Sequence, residues 1–220
     1  MAKPDRATVD GYDIQMQTNH LSHFLLVEEL MPLLEAGAAA HGDARIVTHS
    51  SGGRDHCHTP DKGLDEKYFG KNGGNLGGDG LKMMGGPDFH RYFQTKLANS
   101  VHMYGLHNKL QQSGSKVRAI SCHPGGSDTS LQDGLDFGFF WNTLLRYAGP
   151  MLMQSPEDGA IGLIMGMMDP SAESGVLYGP KDSGTKGPAV PNPPKKYETD
   201  PKAIEMLWRT NSEAVAPFRA

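Results

Sequence analysis

The chain has few cysteines, no long apolar run and no excess of basic residues. Two cysteines, Cys57 and Cys122, in 220 residues are too few for a disulfide framework and indicate a reducing compartment. The N-terminus has no apolar stretch for a signal peptide, and the most apolar segment, 137–153, contains Asn142 and Pro150, which argue against a membrane span. A net charge of −4 offers no basic face to nucleic acid. We therefore predict a soluble, cytoplasmic protein without a nucleic-acid partner or a membrane span.

The content of hydrophobic residues is also low, at 37%, and 28 residues are glycine. Globular domains have about 45–50% apolar residues when glycine is counted with them. The length suits one domain with a sizeable core, which polar or glycine-rich loops interrupt. We predict a single domain over 1–220, with a core at 1–187, a proline-rich linker at 188–198, and a terminal helix and tail at 199–220.

Hydrophobic spacing predicts helices that alternate with strands along the chain. The helices are expected at about 10–35, 89–112, 155–168 and 200–214, the strands at 44–50, 117–122 and 175–178, and a long loop with one short helical piece near 64–69 at 52–89. Ser155 is a plausible N-cap for the third helix. This alternation is typical of an α/β fold in which helices cover both faces of a parallel sheet.

One segment combines a tyrosine and a lysine at helical spacing. Tyr92 and Lys96 are four residues apart, so their side chains lie on the same helix face. A phenol with a pKa near 10 is a poor acid or base at neutral pH, and a neighbouring ammonium group favours its phenolate. The pair alone is also compatible with a core tyrosine beside a solvated lysine, because such spacing occurs by chance in many helices.

The surrounding motifs narrow the interpretation. Seven segments carry recognisable motifs. In chain order they are DGYDIQMQTNHLSHFLL (10–26), ARIVTHSSGG (44–53), YFQTKLAN (92–99), HPGGSDT (123–129), SPEDGAIGLI, GVLYG and MLWRTNSE. With these motifs the sequence resembles the short-chain dehydrogenase/reductase family, in particular its retinol-dehydrogenase-like and WW-domain-oxidoreductase-like branch. The resemblance covers nearly the whole chain and implies a Rossmann-like parallel sheet.

The resemblance also implies roles for single residues. Tyr92 would be the general acid/base, and Lys96 would lower its pKa and hold the nicotinamide ribose. Ser51, in preference to Ser50, would polarise the substrate oxygen, and Asn19 would hold a water of the proton relay. The nicotinamide side would be lined by Pro124, Gly125 and Thr129. Ser127-Asp128 replaces the valine usual in the family, which makes that wall more polar.

The implied coenzyme is NAD(P)(H), with NADP slightly favoured, but the glycine-rich motif that holds its pyrophosphate does not precede residue 10. Met1-Ala2 resembles the dipeptide that follows the family's NNAG motif. We therefore expect an incomplete, N-terminally truncated fold that lacks the first strands and does not bind coenzyme tightly on its own. Strand 44–50 would then be an open sheet edge. The spacing of Gly74, Gly78 and Gly80 mimics the missing motif, but no strand precedes it and we interpret it as a mobile surface loop.

Other sites are less well supported. The cluster Asp55-His56-Cys57-His58 could ligate a metal, but no second cluster stands at ligand spacing, so we predict no metal site. His20 and His23 lie one turn apart, for which packing is the simpler interpretation. Ser51 with a histidine as a hydrolase dyad lacks a nucleophile elbow.

Two functions follow from the sequence. The first is an NAD(P)-dependent oxidoreductase that interconverts an alcohol and a carbonyl, with a lipophilic substrate suggested by the aromatic segment 137–145. The second is an inactive short form that acts as a dimerisation or interaction module. The resemblance implies a homodimer through helices 10–35 and 89–112.

Overall fold

A four-stranded sheet forms the centre of the molecule. The computed structural model describes residues 1, 3–57, 59, 61, 63–71, 74–79, 85–126, 153–182 and 184–219. The strands are β1 (Ala44–His49), β2 (Val117–Cys122), β3 (Val176–Asp182) and β4 (Lys186–Asn192), in the order β1-β2-β3-β4. The first three strands are parallel, and β4 returns antiparallel to β3. The predicted α/β class with a parallel sheet is confirmed.

In the described part of the chain, four main helices connect and cover the strands. Helix α1 runs through three consecutive segments, Ile14–Met16 (α), Gln17–Leu21 (π) and Ser22–His41 (α), and the others are α2 (Pro87–Ser113), α3 (Pro156–Met168) and α4 (Pro201–Val215). Short 3₁₀ turns cover Gly52–His56, Glu66–Tyr68 and Ala216–Phe218. Ser155 caps α3 as predicted, because its hydroxyl accepts a hydrogen bond from the backbone N–H of Asp158.

The side chains of the central strands alternate between two core layers. On β2, Ala119 faces one cluster with Met103 and Leu106 of α2, whereas Ile120 faces another with Leu163 of α3. Because successive residues of a strand point to opposite faces, α2 and α3 lie on opposite sides of the sheet. Helix α1 joins α2 on the first side.

Helix α2 is the central helix of the fold. All of its residues from Arg91 to Leu106 are buried, including the charged and polar ones. Helix α4 packs against it, since the backbone of Gly105 lies directly beneath Trp208 and Ile204. A dimer through α2 could therefore use only its last two turns, whereas α1 presents Leu26, Leu30 and Leu33 as exposed leucines.

The predicted linker at 188–198 is partly wrong. Its first half belongs to β4, in which Pro188 and Pro191 are strand residues. Proline cannot donate a ladder hydrogen bond, but β4 is an edge strand and needs donors on one side only. The proline-rich composition is thus compatible with a strand at this place. Residues 193–200 then lead to α4.

The opposite edge of the sheet is β1. This strand pairs with β2 alone, so its other edge has no strand partner among the described residues, as the sequence predicted. Within the described part of the chain, no helix is long and apolar enough to cross a membrane.

Candidate active site

The candidate site lies where β1 and β2 end. The two strands are parallel, and His49 pairs with Cys122 at their carboxyl ends. Ser51 therefore follows β1 at the same edge at which Pro124 and Gly125 follow β2. In open α/β sheets, ligands bind in the crevice outside this carboxyl edge.

The two consecutive serines have different surroundings. Ser50 is fully buried, where its hydroxyl donates to the carbonyl of Lys96 at 2.9 Å and contacts the Ser100 hydroxyl at 2.8 Å. Ser51 is half-buried and caps the following 3₁₀ turn by accepting from the backbone N–H of Gly53. The Ser50 hydroxyl is used in helix–strand packing, which leaves Ser51 as the accessible hydroxyl.

Tyr92 lies on α2 with its phenol hydrogen-bonded to the Ser51 hydroxyl. Burial raises the pKa of Tyr92 above its usual value of 10, and the hydrogen bond from Ser51 counteracts this rise only in part. Lys96 has its Nζ over the Tyr92 ring, 5.7 Å from the ring centroid. Desolvation of the phenolate is the dominant effect on the pKa of Tyr92 in this structure, and the expectation that Lys96 lowers this pKa stays a prediction.

Lys96 is itself strongly perturbed. Its side chain is buried, and its Nζ donates to the carbonyl of His49 at 3.3 Å. Burial lowers the pKa of Lys96 from 10.5 to about 8, because the ammonium form loses hydration. A lysine with this pKa can give up a proton near neutral pH, which ordinary lysines cannot.

Asn19 lies in the π-helical part of α1. Its Nδ2 donates to the Thr95 hydroxyl at 3.2 Å, and that hydroxyl donates to the Tyr92 carbonyl at 2.7 Å. Asn19 is thus tied to the helix turn between Tyr92 and Lys96. π-Helical turns are rare and occur frequently at functional sites.

The residues expected on the nicotinamide side are described in part. Pro124 and Gly125 follow β2, and Gly125 adopts a φ of 70°, where a side chain would be strained. A Cβ at this position would lie 2.5 Å from the carbonyl oxygen of Thr185, so only glycine allows this close approach to the β3–β4 turn. Thr129 and the aromatic segment 137–145 lie outside the described residues.

A buried ion pair beneath Ser51 was not predicted from the sequence. Arg54 donates from Nε to Glu198 Oε1 at 2.8 Å and from Nη1 to the Ser51 carbonyl at 3.1 Å. The side chains of Arg54 and Glu198 are only 3% and 1% exposed. These residues are separated by 144 positions, and no local pattern links them.

Asn99 is a second residue that sequence reasoning left without a role. Its amide donates to the carbonyls of Asn19 and His49 and contacts the imidazole of His20. The sequence does contain a signal for Asn99, because this residue stands three positions after Lys96 on the same face of α2 and belongs to the motif that includes Tyr92.

Two alternative sites receive no support. The described residues contain no group of three or more metal-capable side chains, and Asp55 is instead bound by Lys195 and Tyr197. The glycine-rich loop at 74–79 is held in place, because the Asp5 carboxylate accepts from the backbone N–H groups of Leu76 and Gly78. The interpretation of this segment as mobile therefore needs correction for 74–79.

The donor set fits one end of a dinucleotide. Lys96 offers an ammonium group for ribose hydroxyls, while Ser51 and Tyr92 offer hydroxyls for a substrate oxygen. Over the described ranges, no strand runs through a glycine-rich turn into a helix, which is the arrangement that holds a pyrophosphate. The described residues thus fit the nicotinamide–ribose part of the coenzyme.

Comparison with known proteins identifies related sequences over almost the whole chain. The short-chain dehydrogenase/reductase drtF of Aspergillus calidoustus is 32% identical over 225 residues, which cover 97% of this chain and 64% of drtF. Human polyprenol dehydrogenase is 31% identical over 191 residues, covering 83% of this chain and 51% of that protein. The chain therefore spans about half to two thirds of the length of these relatives. No family model matches it.

A solved structure supports the same assignment. A crystal structure of a protein from Mycobacterium paratuberculosis superposes with a TM-score of 0.66 at 26% identity, covering 98% of this chain and 63% of that one. The chain belongs to the short-chain dehydrogenase/reductase family of oxidoreductases.

Proposed function

We propose that the chain carries the proton-transfer site of an NAD(P)-dependent oxidoreductase that interconverts an alcohol and a carbonyl. The observation that supports this most directly is that Ser51, Tyr92 and the buried Lys96, whose Nζ lies over the Tyr92 ring, meet at the carboxyl edge of the sheet. A bound nicotinamide would supply the hydride. The residues of this chain would supply orientation and the proton.

The proton transfer follows from the pKa shifts. Because burial raises the pKa of Tyr92, its phenol stays protonated at neutral pH and can donate to a carbonyl oxygen. The Ser51 hydroxyl donates to the same oxygen and fixes its position. Lys96, with a pKa of about 8, then returns a proton to the phenolate. This direction of proton flow corresponds to reduction of the carbonyl.

We infer a lipophilic substrate from two observations. The sequence segment 137–145 is rich in phenylalanine and leucine, and one relative is named a polyprenol dehydrogenase. The choice between NAD and NADP, the placement in the retinol-dehydrogenase-like branch and the cytoplasmic location stay predictions from the sequence.

Tyrosine replacements on α2 test the proposal. The chain is incubated with NADPH or NADH and a long-chain aldehyde, and aldehyde-dependent oxidation of the coenzyme is followed. We expect Tyr92→Phe to lower the rate by about 10²–10⁴-fold, the usual contribution of general acid catalysis. Tyr104→Phe removes the same hydroxyl from another buried tyrosine of α2 and should retain the rate. Equal rates in Tyr92→Phe and the parent would refute the role of Tyr92.

The interaction module is the second candidate. It is favoured by the open edge of β1 and the exposed leucines of α1. A folded chain that oxidises neither coenzyme but forms a stable dimer in sedimentation experiments would support it over the oxidoreductase.

A further inference from the structure

The side chain of Asn99 connects three segments of the candidate site. It lies on α2, one turn after Lys96, and is 4% exposed. Its Nδ2 donates to the carbonyl of Asn19 at 3.1 Å and to the carbonyl of His49 at 2.9 Å. The first carbonyl belongs to the π-helical turn, and the second stands at the end of β1, two residues before Ser51. One amide group therefore joins α1, β1 and α2.

The direction of each hydrogen bond in this network can be worked out. Carbonyl oxygens only accept, so both hydrogens of the Asn99 amide are used and its Oδ1 must face His20, 2.8 Å away. An oxygen there requires that Nδ1 of His20 carries the proton. Nε2 of His20 is then an acceptor, and Nδ2 of Asn211 donates to it at 2.7 Å.

Burial keeps this arrangement fixed over the physiological pH range. His20 is 1% exposed and Asn211 is fully buried. Desolvation lowers the pKa of His20 from 6.5 to about 4, so the ring stays neutral with a single N–H. Asn211 belongs to α4, so the terminal helix supports the network through its hydrogen bond to His20.

The network ends at the group that holds the candidate catalytic lysine. The His49 carbonyl accepts from Asn99 and also from Lys96 Nζ, at 3.3 Å. Movement of this carbonyl would change both the position and the solvation of the ammonium group. We propose that Asn99 is a positioning residue that sets the site of Lys96 through the His49 carbonyl, and that His20 and Asn211 hold Asn99 in the required orientation.

The inference rests on the proposed function for its catalytic meaning, but its test does not need turnover. Lysine side chains are labelled with ¹³C at Cε, the Lys96 signal is assigned with Lys96→Arg, and its chemical shift is followed from pH 6 to 11. In the parent chain we expect a midpoint near 8. In Asn99→Ala, water reaches the ammonium group, and the midpoint should rise toward 10.5 by about half a pH unit or more.

Two controls separate positioning from stability. Asn108→Ala removes an exposed amide from the same helix and should leave the midpoint unchanged. Gly175→Ala strains a backbone with a φ of 79° and crowds His107, and neither residue belongs to the network, so it lowers stability with little change at Lys96. An Asn99→Ala chain that folds with an unchanged Lys96 midpoint would overturn the proposal.

If Asn99→Ala fails to fold, replacement of His20 tests the proposal independently. Glutamine at position 20 can offer an N–H to Asn99 Oδ1, whereas leucine cannot. We expect a raised Lys96 midpoint in His20→Leu and one nearer the parent value in His20→Gln. Equal midpoints in the two variants would refute the role of His20. The NMR titration of Lys96 can be measured even if the oxidoreductase assay shows no activity, so the two proposals are tested separately.

Discussion

Removal of one partner of the Arg54–Glu198 ion pair should destabilise the fold strongly. The pair has a contact of 2.8 Å, and both side chains are almost fully excluded from water. Glu198→Gln removes the nearer carboxylate and leaves the buried Arg54 guanidinium with the more distant, partly exposed Asp55 at 3.8 Å. Loss of one partner of a buried ion pair costs about 3–5 kcal/mol in comparable cases. With the lower value, a chain of this size should lose about 6–12 °C in Tm, since each kcal/mol corresponds to roughly 2–4 °C.

Thermal and urea unfolding followed by circular dichroism measure this effect. Glu28→Gln is the matched control, because Glu28 pairs with Arg219 at the surface and such pairs contribute about 0–1 kcal/mol. The double variant Arg54→Met/Glu198→Leu removes both charges and should recover much of the loss. If Glu198→Gln unfolds at the same temperature as Glu28→Gln, the assignment of a desolvated, structurally essential ion pair beneath Ser51 is wrong.

Two further predictions concern buried groups. The pKa values of His20 and His102 are lowered by burial to about 4 and about 3, so the unfolded chain binds more protons below pH 6.5 and stability should fall as the pH drops from 6.5 toward 4. The pKa shift of His20 alone corresponds to about 3 kcal/mol of unfolding free energy. Urea unfolding at several pH values measures how steeply this free energy falls as the pH drops, and His102→Phe should make the fall less steep. Gly105→Ala places a Cβ 2.4 Å from Cζ3 of Trp208 and should cost about 1–3 kcal/mol in chemical unfolding, whereas Gly37→Ala, with open space around it, should be neutral or stabilising. A pH-independent stability, or equal effects of the two alanines, would contradict these assignments.

The elements with strong hydrophobic periodicity were predicted well from the sequence. The strand at 117–122 and the helix capped by Ser155 match the structure because their signals are local. The end of α1 was predicted too early, at about residue 35. The helix continues to His41 and ends at Gly42, whose φ of 83° provides the left-handed cap. Both Gly37 and Gly42 have open space around them, and the two positions differ in backbone conformation, since Gly42 alone adopts a positive φ.

The candidate catalytic residues could also be proposed from the sequence, whereas the residues that hold them in place could not. Tyr92, Lys96 and Ser51 belong to recognisable local patterns, whereas the partners that hold them come from distant segments. Glu198 reaches Arg54 across 144 residues, and Asn211 reaches His20 across 191. Such contacts depend on how the helices pack, which composition and spacing do not encode. The burial that raises the pKa of Tyr92 was not predicted for a similar reason, since burial is a property of the whole fold.

The central claim is that the carboxyl edge of β1 and β2 holds a nicotinamide–ribose group next to Lys96. Fluorescence titration of the folded chain with reduced nicotinamide mononucleotide tests it most directly, with NADPH titrated in parallel. We predict saturable binding of the mononucleotide in the roughly millimolar range, about −4 kcal/mol, with NADPH no more than about tenfold tighter and loss of binding in Lys96→Met. A folded chain that binds neither compound, or that binds both equally well after Lys96→Met, would contradict the claim.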